Sequence, residues 1–182
     1  SFTGGTNTGK AITKVAAPMF KKLSLELGGK NPNIIFDDAD LDKAVEVSLK
    51  SSFSNQGQIC LCGSRIFVQE GIYDVFKEKY LSAVDNLKVG DPNDNDTNLG
   101  ALVSKGHYEK VLSYVDIAKS EGGKVISGGA KVSVPGRCKD GYFMRPTVIE
   151  GLEYTCRTNQ EEIFGPIVTI TPFKTEEEVL KM

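Results

Sequence analysis

Short apolar strand segments alternate with amphipathic helical segments along most of the chain, and this alternation limits the possible folds most strongly. The clearest strand segments are Arg65–Gln69 and Ile167–Phe173, both rich in β-branched and aromatic residues. Between them lie segments whose apolar residues recur at three-and-four spacing, as in a helix with one buried face. The sequence therefore predicts an α/β fold with an open, mostly parallel sheet and flanking helices.

The element boundaries follow from capping residues and from changes in periodicity. Asp40, Ser104 and Thr175 each precede a helical pattern and are expected to cap it. We predict helices over residues 8–16, 41–55, 72–84 and 105–121, with a further helix beginning after Thr175. We predict strands over residues 22–27, 33–36, 65–69, 124–127, 142–150 and 167–173, and an exposed loop over 128–141.

Charge and hydrophobicity argue against several classes of function. The 182 residues are 40% hydrophobic and 25% charged, with a formal net charge of −2 and both signs interspersed. This pattern gives no basic surface for nucleic acid or an anionic membrane. No apolar run approaches the ~20 residues of a membrane span, and no signal peptide is visible. We expect a cytoplasmic protein and, because the chain does not begin with Met, part of a longer one.

The cysteines do not form a metal or disulfide pattern. Cys60, Cys62, Cys138 and Cys156 make no pair of Cys-x-x-Cys ligand sets, and the single histidine, His107, is distant in sequence. No metal site is expected, and the thiols are expected to be reduced. His107 and Cys156 are interpreted as structural or exposed.

Cys60 is the candidate nucleophile. It ends residues 55–60 (Asn-Gln-Gly-Gln-Ile-Cys), a loop of glycine and amides rather than an apolar face. A lone cysteine is most often a small buried hydrophobe, and a single histidine weakens any Cys–His pair. Cys62 competes for the role of nucleophile. Arg65, just after the loop, either holds it through salt bridges or is solvated.

Glu26 is the candidate general base. It lies between two leucines in residues 25–30 (Leu-Glu-Leu-Gly-Gly-Lys), where we expect partial desolvation to raise its pKa toward a useful range. The alternative is a glutamate turned to solvent on an alternating strand.

These two segments, together with residues 161–166 (Glu-Glu-Ile-Phe-Gly-Pro), resemble the aldehyde dehydrogenase superfamily in motif and in order. The resemblance covers essentially the whole chain. It implies that Cys60 attacks the aldehyde carbonyl to give a thiohemiacetal. The oxyanion would be held by the Cys60 N–H and an asparagine upstream of these residues. Loss of a hydride to the nicotinamide would leave a thioester, which water activated by Glu26 hydrolyses.

The resemblance also implies a cofactor site for NAD, with NADP as the alternative. Glu162 would bind the nicotinamide ribose, Phe164 would pack on the cofactor, and Leu27 and Gly28 would approach it closely. Cys62 would take a packing role. The hydrophobic neighbours of the nucleophile, Ile59 and Leu61, would line the aldehyde pocket.

Residues 4–11 (Gly-Gly-Thr-Asn-Thr-Gly-Lys-Ala) nearly match a phosphate-binding P-loop, but Ala11 lacks the hydroxyl that would bind Mg²⁺. The stretch instead resembles the family's Phe-Thr-Gly-Ser turn, where helix N–H groups face the pyrophosphate. Gly5 stands where that turn usually has serine, so no hydroxyl contact to the phosphate is expected.

By the same resemblance, residues 1–27 are the end of a Rossmann-like NAD(P)-binding domain and residues 28–182 are a catalytic domain truncated at its C-terminus. Residues 59–69 are most similar to the branch acting on muconate semialdehydes such as 2-aminomuconate semialdehyde; a retinal or betaine-type aldehyde is the rival. The parent protein is expected to be a homodimer or homotetramer, and this chain alone is expected to be inactive. A catalytically silent relative and a P-loop nucleotide binder remain the alternatives.

Overall fold

A computed structural model describes residues 1–182 and contains nine strands and six α-helices. In chain order these are β1 (Phe2–Gly4), α1 (Thr6–Ala16), β2 (Leu25–Leu27), β3 (Pro32–Ile35), α2 (Leu41–Phe53), β4 (Arg65–Gln69), α3 (Tyr73–Asp85), α4 (Lys105–Ser120), β5 (Lys124–Ser127), β6 (Lys131–Val132), β7 (Phe143–Met144), β8 (Thr147–Glu150), α5 (Arg157–Gln160), β9 (Ile167–Phe173) and α6 (Glu176–Val179). The predicted α/β architecture is confirmed.

A five-stranded sheet in the order β3-β4-β9-β8-β5 forms the centre of the molecule. All neighbouring strands are parallel except β5, which pairs with β8 in the antiparallel direction at one edge. The central strand β9 begins with a continuous buried run, Ile167 to Ile170. Such a run is typical of a parallel strand with helices on both faces.

Helices cover the two faces of this sheet unequally. Successive side chains of a strand point to opposite faces, so Val148 packs in a core with residues of α2 and α3, and Ile149 packs in a second core with residues of α4. The predicted cap residues Asp40 and Ser104 accept hydrogen bonds from backbone N–H groups of the first turns of α2 and α4. Thr175 caps α6 in the same way.

Strands β1 and β2 form a separate two-stranded parallel sheet beside α1. Gly9 allows the close packing of α1 on β2, because a Cβ at this position would lie 2.7 Å from a methyl carbon of Leu27. The predicted strand 22–27 is shorter than expected: Leu23 lies outside β2 and is exposed.

Two predictions at the other end of the chain were wrong in detail. Residues 142–150 form two strands rather than one, because β7 pairs with β6 whereas β8 pairs with β9 and β5. Pro146, which has no N–H to donate to a ladder, lies between them. Residues 128–141 are correspondingly not a simple exposed loop, since they contain β6 and the buried Val134.

Candidate active site

The loop that carries the nucleophile has an uncommon backbone. Asn55, Gln56 and Gly57 all have positive φ, at 50°, 57° and 68°. Residues other than glycine rarely adopt this left-handed backbone conformation, and those that do are concentrated at functional sites. Gly57 also meets a second constraint, because a Cβ there would overlap the backbone carbonyl of Gly165. The loop therefore lies directly against the Glu162–Gly165 segment.

Cys60 follows in a tight turn whose ends are joined by a hydrogen bond from the Cys62 N–H to the Ile59 carbonyl (3.1 Å). Cys60 is exposed and Cys62 is buried. The Cys62 thiol donates to the Ser52 carbonyl (3.0 Å), and burial raises the pKa of the Cys62 thiol to about 11. Cys62 thus stays protonated at neutral pH, in the packing position that the sequence predicts, and Cys60 is the accessible thiol.

An open cleft of about 530 Å³ joins the segments that the sequence singled out. Its walls come from the β1–α1 turn, the β2 end, the cysteine loop, the first turns of α4 and the segment after α5. All the predicted site residues except one line it: Gly5, Glu26, Leu27, Gly28, Ile59, Cys60, Glu162 and Phe164. Segments far apart in the chain therefore converge on one surface.

Leu61 is the exception. It is 79% exposed and is not part of the cleft lining. The structure does not bring it together with the other site residues, and its contact with an aldehyde stays a prediction.

The expected desolvation of Glu26 is a second correction. Its side chain lies in the cleft but is exposed. Leu25 and Leu27, its neighbours on β2, point to the other face of this short strand. The exposure of Glu26 contradicts the expected desolvation and agrees with the solvent-facing alternative.

Glu162 reaches across the cleft to the turn after β2. Gly28 has no side chain, and a Cβ at this position would overlap the Glu162 carboxylate. The Glu162 side chain can therefore approach the backbone this closely only because position 28 is glycine. The Glu162 carboxylate therefore lies directly against the Gly28 backbone in the cleft.

His107 and Lys110 are cleft residues that the sequence interpretation missed. His107 Nε2 lies 2.6 Å from the Phe164 carbonyl oxygen; because a carbonyl only accepts, this nitrogen carries the proton. Lys110 Nζ donates to the Glu162 carbonyl (3.2 Å). Phe164 itself has φ of 61°, an outlier for an aromatic residue. The first turns of α4 thus hold the Glu162–Phe164 segment in its strained form.

Arg65 fits neither of the two readings left open for it. Its Nε donates to the Lys30 carbonyl (3.1 Å) and one of its terminal nitrogens to the Met182 carbonyl (3.0 Å). It pairs with no Asp or Glu side chain, and its bond to Lys30 holds the segment that follows Glu26 against β4.

The P-loop alternative does not agree with the structure. A P-loop requires an open loop between its first glycine and its lysine, but α1 begins at Thr6 and includes Gly9 and Lys10. Gly5 is the N-cap of α1 and provides no side-chain hydrogen bond. The first N–H groups of this helix are therefore free of a side-chain cap at the edge of the cleft.

None of the helices has the length and apolar character needed to cross a membrane.

Known proteins share this sequence and this fold. The sequence matches the aldehyde dehydrogenase family over residues 1–182. It is 51% identical to 2-aminomuconic semialdehyde dehydrogenase of Mus musculus over 182 aligned positions, and the alignment covers 99% of this chain and 37% of that protein. It is 52% identical to the protein of the same name from Homo sapiens over 185 positions, covering 100% of this chain and 38% of that protein.

Among solved structures, a betaine aldehyde dehydrogenase from Staphylococcus aureus in complex with NAD⁺ matches with a TM-score of 0.92 and 46% identity, over 99% of this chain and 35% of that one. The chain thus spans little more than a third of the length of these relatives. The match over all of its residues shows that this chain belongs to the aldehyde dehydrogenase family.

Proposed function

We propose that this chain supplies the nucleophile, the base and part of the cofactor site of an NAD-dependent dehydrogenase that oxidises an aldehyde to a carboxylic acid. One observation carries the proposal: an exposed thiol, Cys60, shares a cleft with a carboxylate, Glu26, and with a second carboxylate, Glu162, that lies against the Gly28 backbone. The names of the relatives agree with this activity.

Cys60 is proposed to act as the thiolate that attacks the aldehyde carbonyl. The Cys60 N–H donates to no backbone group of the chain. It is therefore available to stabilise the oxyanion that forms when the thiolate adds to the aldehyde carbonyl. Cys62 is a poor competitor, since its raised pKa and its burial keep the thiol protonated and inaccessible.

Glu26 is proposed to activate the water that releases the acid from the resulting thioester. Its exposure gives that water access from solvent. A base acting in this step commonly contributes a factor of about 10² to 10⁴ in rate. The covalent route divides one difficult reaction into two easier ones.

The cleft has features that suit a dinucleotide. The uncapped N-terminus of α1 at Gly5 would face the pyrophosphate, and Glu162 would accept hydrogen bonds from the nicotinamide ribose hydroxyls. Leu27, Gly28 and Phe164 would form the surrounding walls. When bound, the nicotinamide supplies the acceptor for the hydride that the substrate carbon loses. NADP remains the alternative to NAD.

A muconate semialdehyde, in particular 2-aminomuconate semialdehyde, is the proposed substrate class. The support is the identity of about half of all positions to relatives that carry that name. A betaine-type aldehyde is the rival, supported by 46% identity to the enzyme of that name. Three further expectations stay predictions: a domain boundary between residues 1–27 and 28–182, a dimeric or tetrameric parent protein, and a cytoplasmic location.

Acyl transfer from an activated ester tests the thiol and the base without a cofactor. We expect p-nitrophenyl acetate to place a single acetyl group on Cys60, detected by intact and peptide mass spectrometry. Cys60→Ser should abolish the adduct, and Cys62→Ser, the matched control, should leave it unchanged. Glu26→Gln should prolong the adduct's lifetime by about tenfold or more. Acetylation spread evenly over all four cysteines would contradict the proposal and favour a catalytically silent relative.

A further inference from the structure

We infer that Asn31 is a positioning residue that fixes the nucleophile turn, and this inference rests on the proposed role of Cys60. Asn31 lies at the start of the β3 segment, far from Cys60 in sequence. Its amide Nδ2 donates to the Cys60 carbonyl at 2.7 Å and to the Cys62 carbonyl at 3.3 Å. No other side chain of the chain hydrogen bonds to these two carbonyls.

The chemistry of the contact requires an amide donor. Both partners are carbonyl oxygens, which only accept, so the NH₂ group of Asn31 must face them, and its two hydrogens match the two acceptors. A carboxylate of the same shape would place oxygen against oxygen. Asn31 is therefore not exchangeable for its isostere, aspartate, although the two occupy the same volume.

These two hydrogen bonds fix the part of the backbone on which acyl transfer would depend. The Cys60 carbonyl belongs to the peptide that follows the nucleophile, and the Cys62 carbonyl belongs to the last residue of the turn closed by the Cys62 N–H and the Ile59 carbonyl. With both carbonyls held, the turn cannot rotate, and the Cys60 N–H and Sγ keep one relative direction. That direction matters because Sγ attacks a carbonyl carbon, and the N–H must point at the oxygen bonded to this carbon to donate a hydrogen bond to it.

The neighbouring asparagine provides a matched control. Asn33 lies two positions further on the same segment and is similarly half-buried, but its Nδ2 donates to the Ser48 hydroxyl (2.8 Å) and not to the turn. Asn33→Asp introduces the same charge on the same strand without touching Cys60. Any effect of general destabilisation or of added charge should therefore appear in both variants.

The test compares two reactions of the same sulfur. Acetylation by p-nitrophenyl acetate forms an oxyanion and needs the aligned N–H, whereas alkylation by iodoacetamide forms none. We expect Asn31→Asp and the neutral Asn31→Ser to lower the ratio of Cys60 acetylation rate to Cys60 alkylation rate by about tenfold, less than the complete loss of an oxyanion donor. Asn33→Asp and Asn33→Ser should change the ratio by less than about twofold, because neither removes a hydrogen bond to the turn. A twofold change corresponds to less free energy than one hydrogen bond typically contributes.

Hydrogen–deuterium exchange of the turn gives a readout that does not depend on acyl transfer. The Cys62 N–H should exchange about tenfold faster in the Asn31 variants than in the unsubstituted chain or the Asn33 variants. If Asn31→Asp does not fold, Asn31→Ser gives the same comparison with no added charge.

The outcomes separate the inference from the function on which it rests. If Cys60 accepts no acyl group in the unsubstituted chain, the proposed function fails, and the exchange of the Cys62 N–H alone then decides whether Asn31 fixes the turn. If Cys60 is acetylated but the Asn31 and Asn33 variants have the same rate ratio and the same exchange, the positioning role is wrong. Loss of both reactions in equal proportion in the Asn31 variants would also overturn it, since that indicates a merely structural role.

Discussion

Lys30 is a buried amine beside the candidate site whose nitrogen has no hydrogen-bond partner. It adjoins a cavity of only about 10 Å³ beside Glu162 and Gly57. Burial is the main reason that the pKa of Lys30 falls to about 8. A buried ammonium without a partner destabilises the folded state while it stays protonated.

Replacement of Lys30 by methionine should therefore stabilise the chain at neutral pH. Between the folded pKa of about 8 and the ordinary lysine pKa of 10.5, the unfolded chain holds a proton that the folded chain has lost, so the stability of the unsubstituted chain rises with pH. The advantage of Lys30→Met, measured by urea unfolding, should shrink by up to about 3 kcal/mol between pH 7 and pH 10.5. Lys21→Met, a control at an exposed lysine, should show the same pH dependence of the free energy of unfolding as the unsubstituted chain. A constant advantage across this range would contradict the assigned burial.

Some residues of the site could be predicted from the sequence, and others could not. Cys60, Glu26 and Glu162 stand in motifs, so their meeting in one cleft could be anticipated. The exposure of Glu26 could not, because it depends on which side chains pack over the carboxylate. His107 carries no local signal either: its contact exists only because the first turn of α4 meets the Phe164 carbonyl.

At the scale of elements, α4 links the sheet to the cleft. One face packs in the core through Val111, Val115 and Ala118, and its first turns hold the Glu162–Phe164 segment through His107 and Lys110. Gly165 is packed so closely that a Cβ there would lie 2.6 Å from a Val111 methyl carbon. Changes at the N-terminus of α4 should therefore reach the cleft.

Ser104→Ala should destabilise the chain by about 1 kcal/mol, because the Ser104 hydroxyl accepts from the His107 N–H (3.3 Å) and caps α4. The loss would appear as a lower urea midpoint with an unchanged slope. Ser113→Ala, in the exposed middle of the same helix, should be neutral or slightly stabilising, since alanine has the higher helix propensity. Equal effects of the two substitutions would show that the cap contributes nothing particular.

Element boundaries were predictable where one local pattern determines them. The bounds of β4, β5 and β9 agree with the sequence prediction, because a glycine lies close to at least one end of each of these short segments. The short pair β6 and β7 was not predicted, since the two residues Lys131 and Val132 are too few to give a local strand pattern. They form a strand only by pairing with Phe143 and Met144. Pairing between distant segments is a tertiary effect that overrides local propensity.

At the scale of the whole molecule, the chain has one well-packed part and one sparsely packed part. The five-stranded sheet has buried cores on both faces. In the β1–α1–β2 part, by contrast, α1 buries only Gly9, and Val15, Met19 and Phe20 are 71%, 59% and 96% exposed. A two-stranded sheet has little stability of its own. Because Gly5, Glu26 and Leu27 belong to this part, one wall of the cleft rests on the weaker structure.

Native-state hydrogen exchange should therefore divide the chain at about the end of β2. Amides of β4, β8 and β9 should exchange only through global unfolding, because their ladder lies between two cores. Amides of α1 and β2 should exchange at least about a hundredfold faster through local opening. Peptide-resolved mass spectrometry measures both sets in one sample, with α4 as the internal reference for a helix packed on the sheet. Equal protection of α1 and α4 would mean that the chain unfolds as one unit, and the predicted division between residues 1–27 and 28–182 would then be wrong.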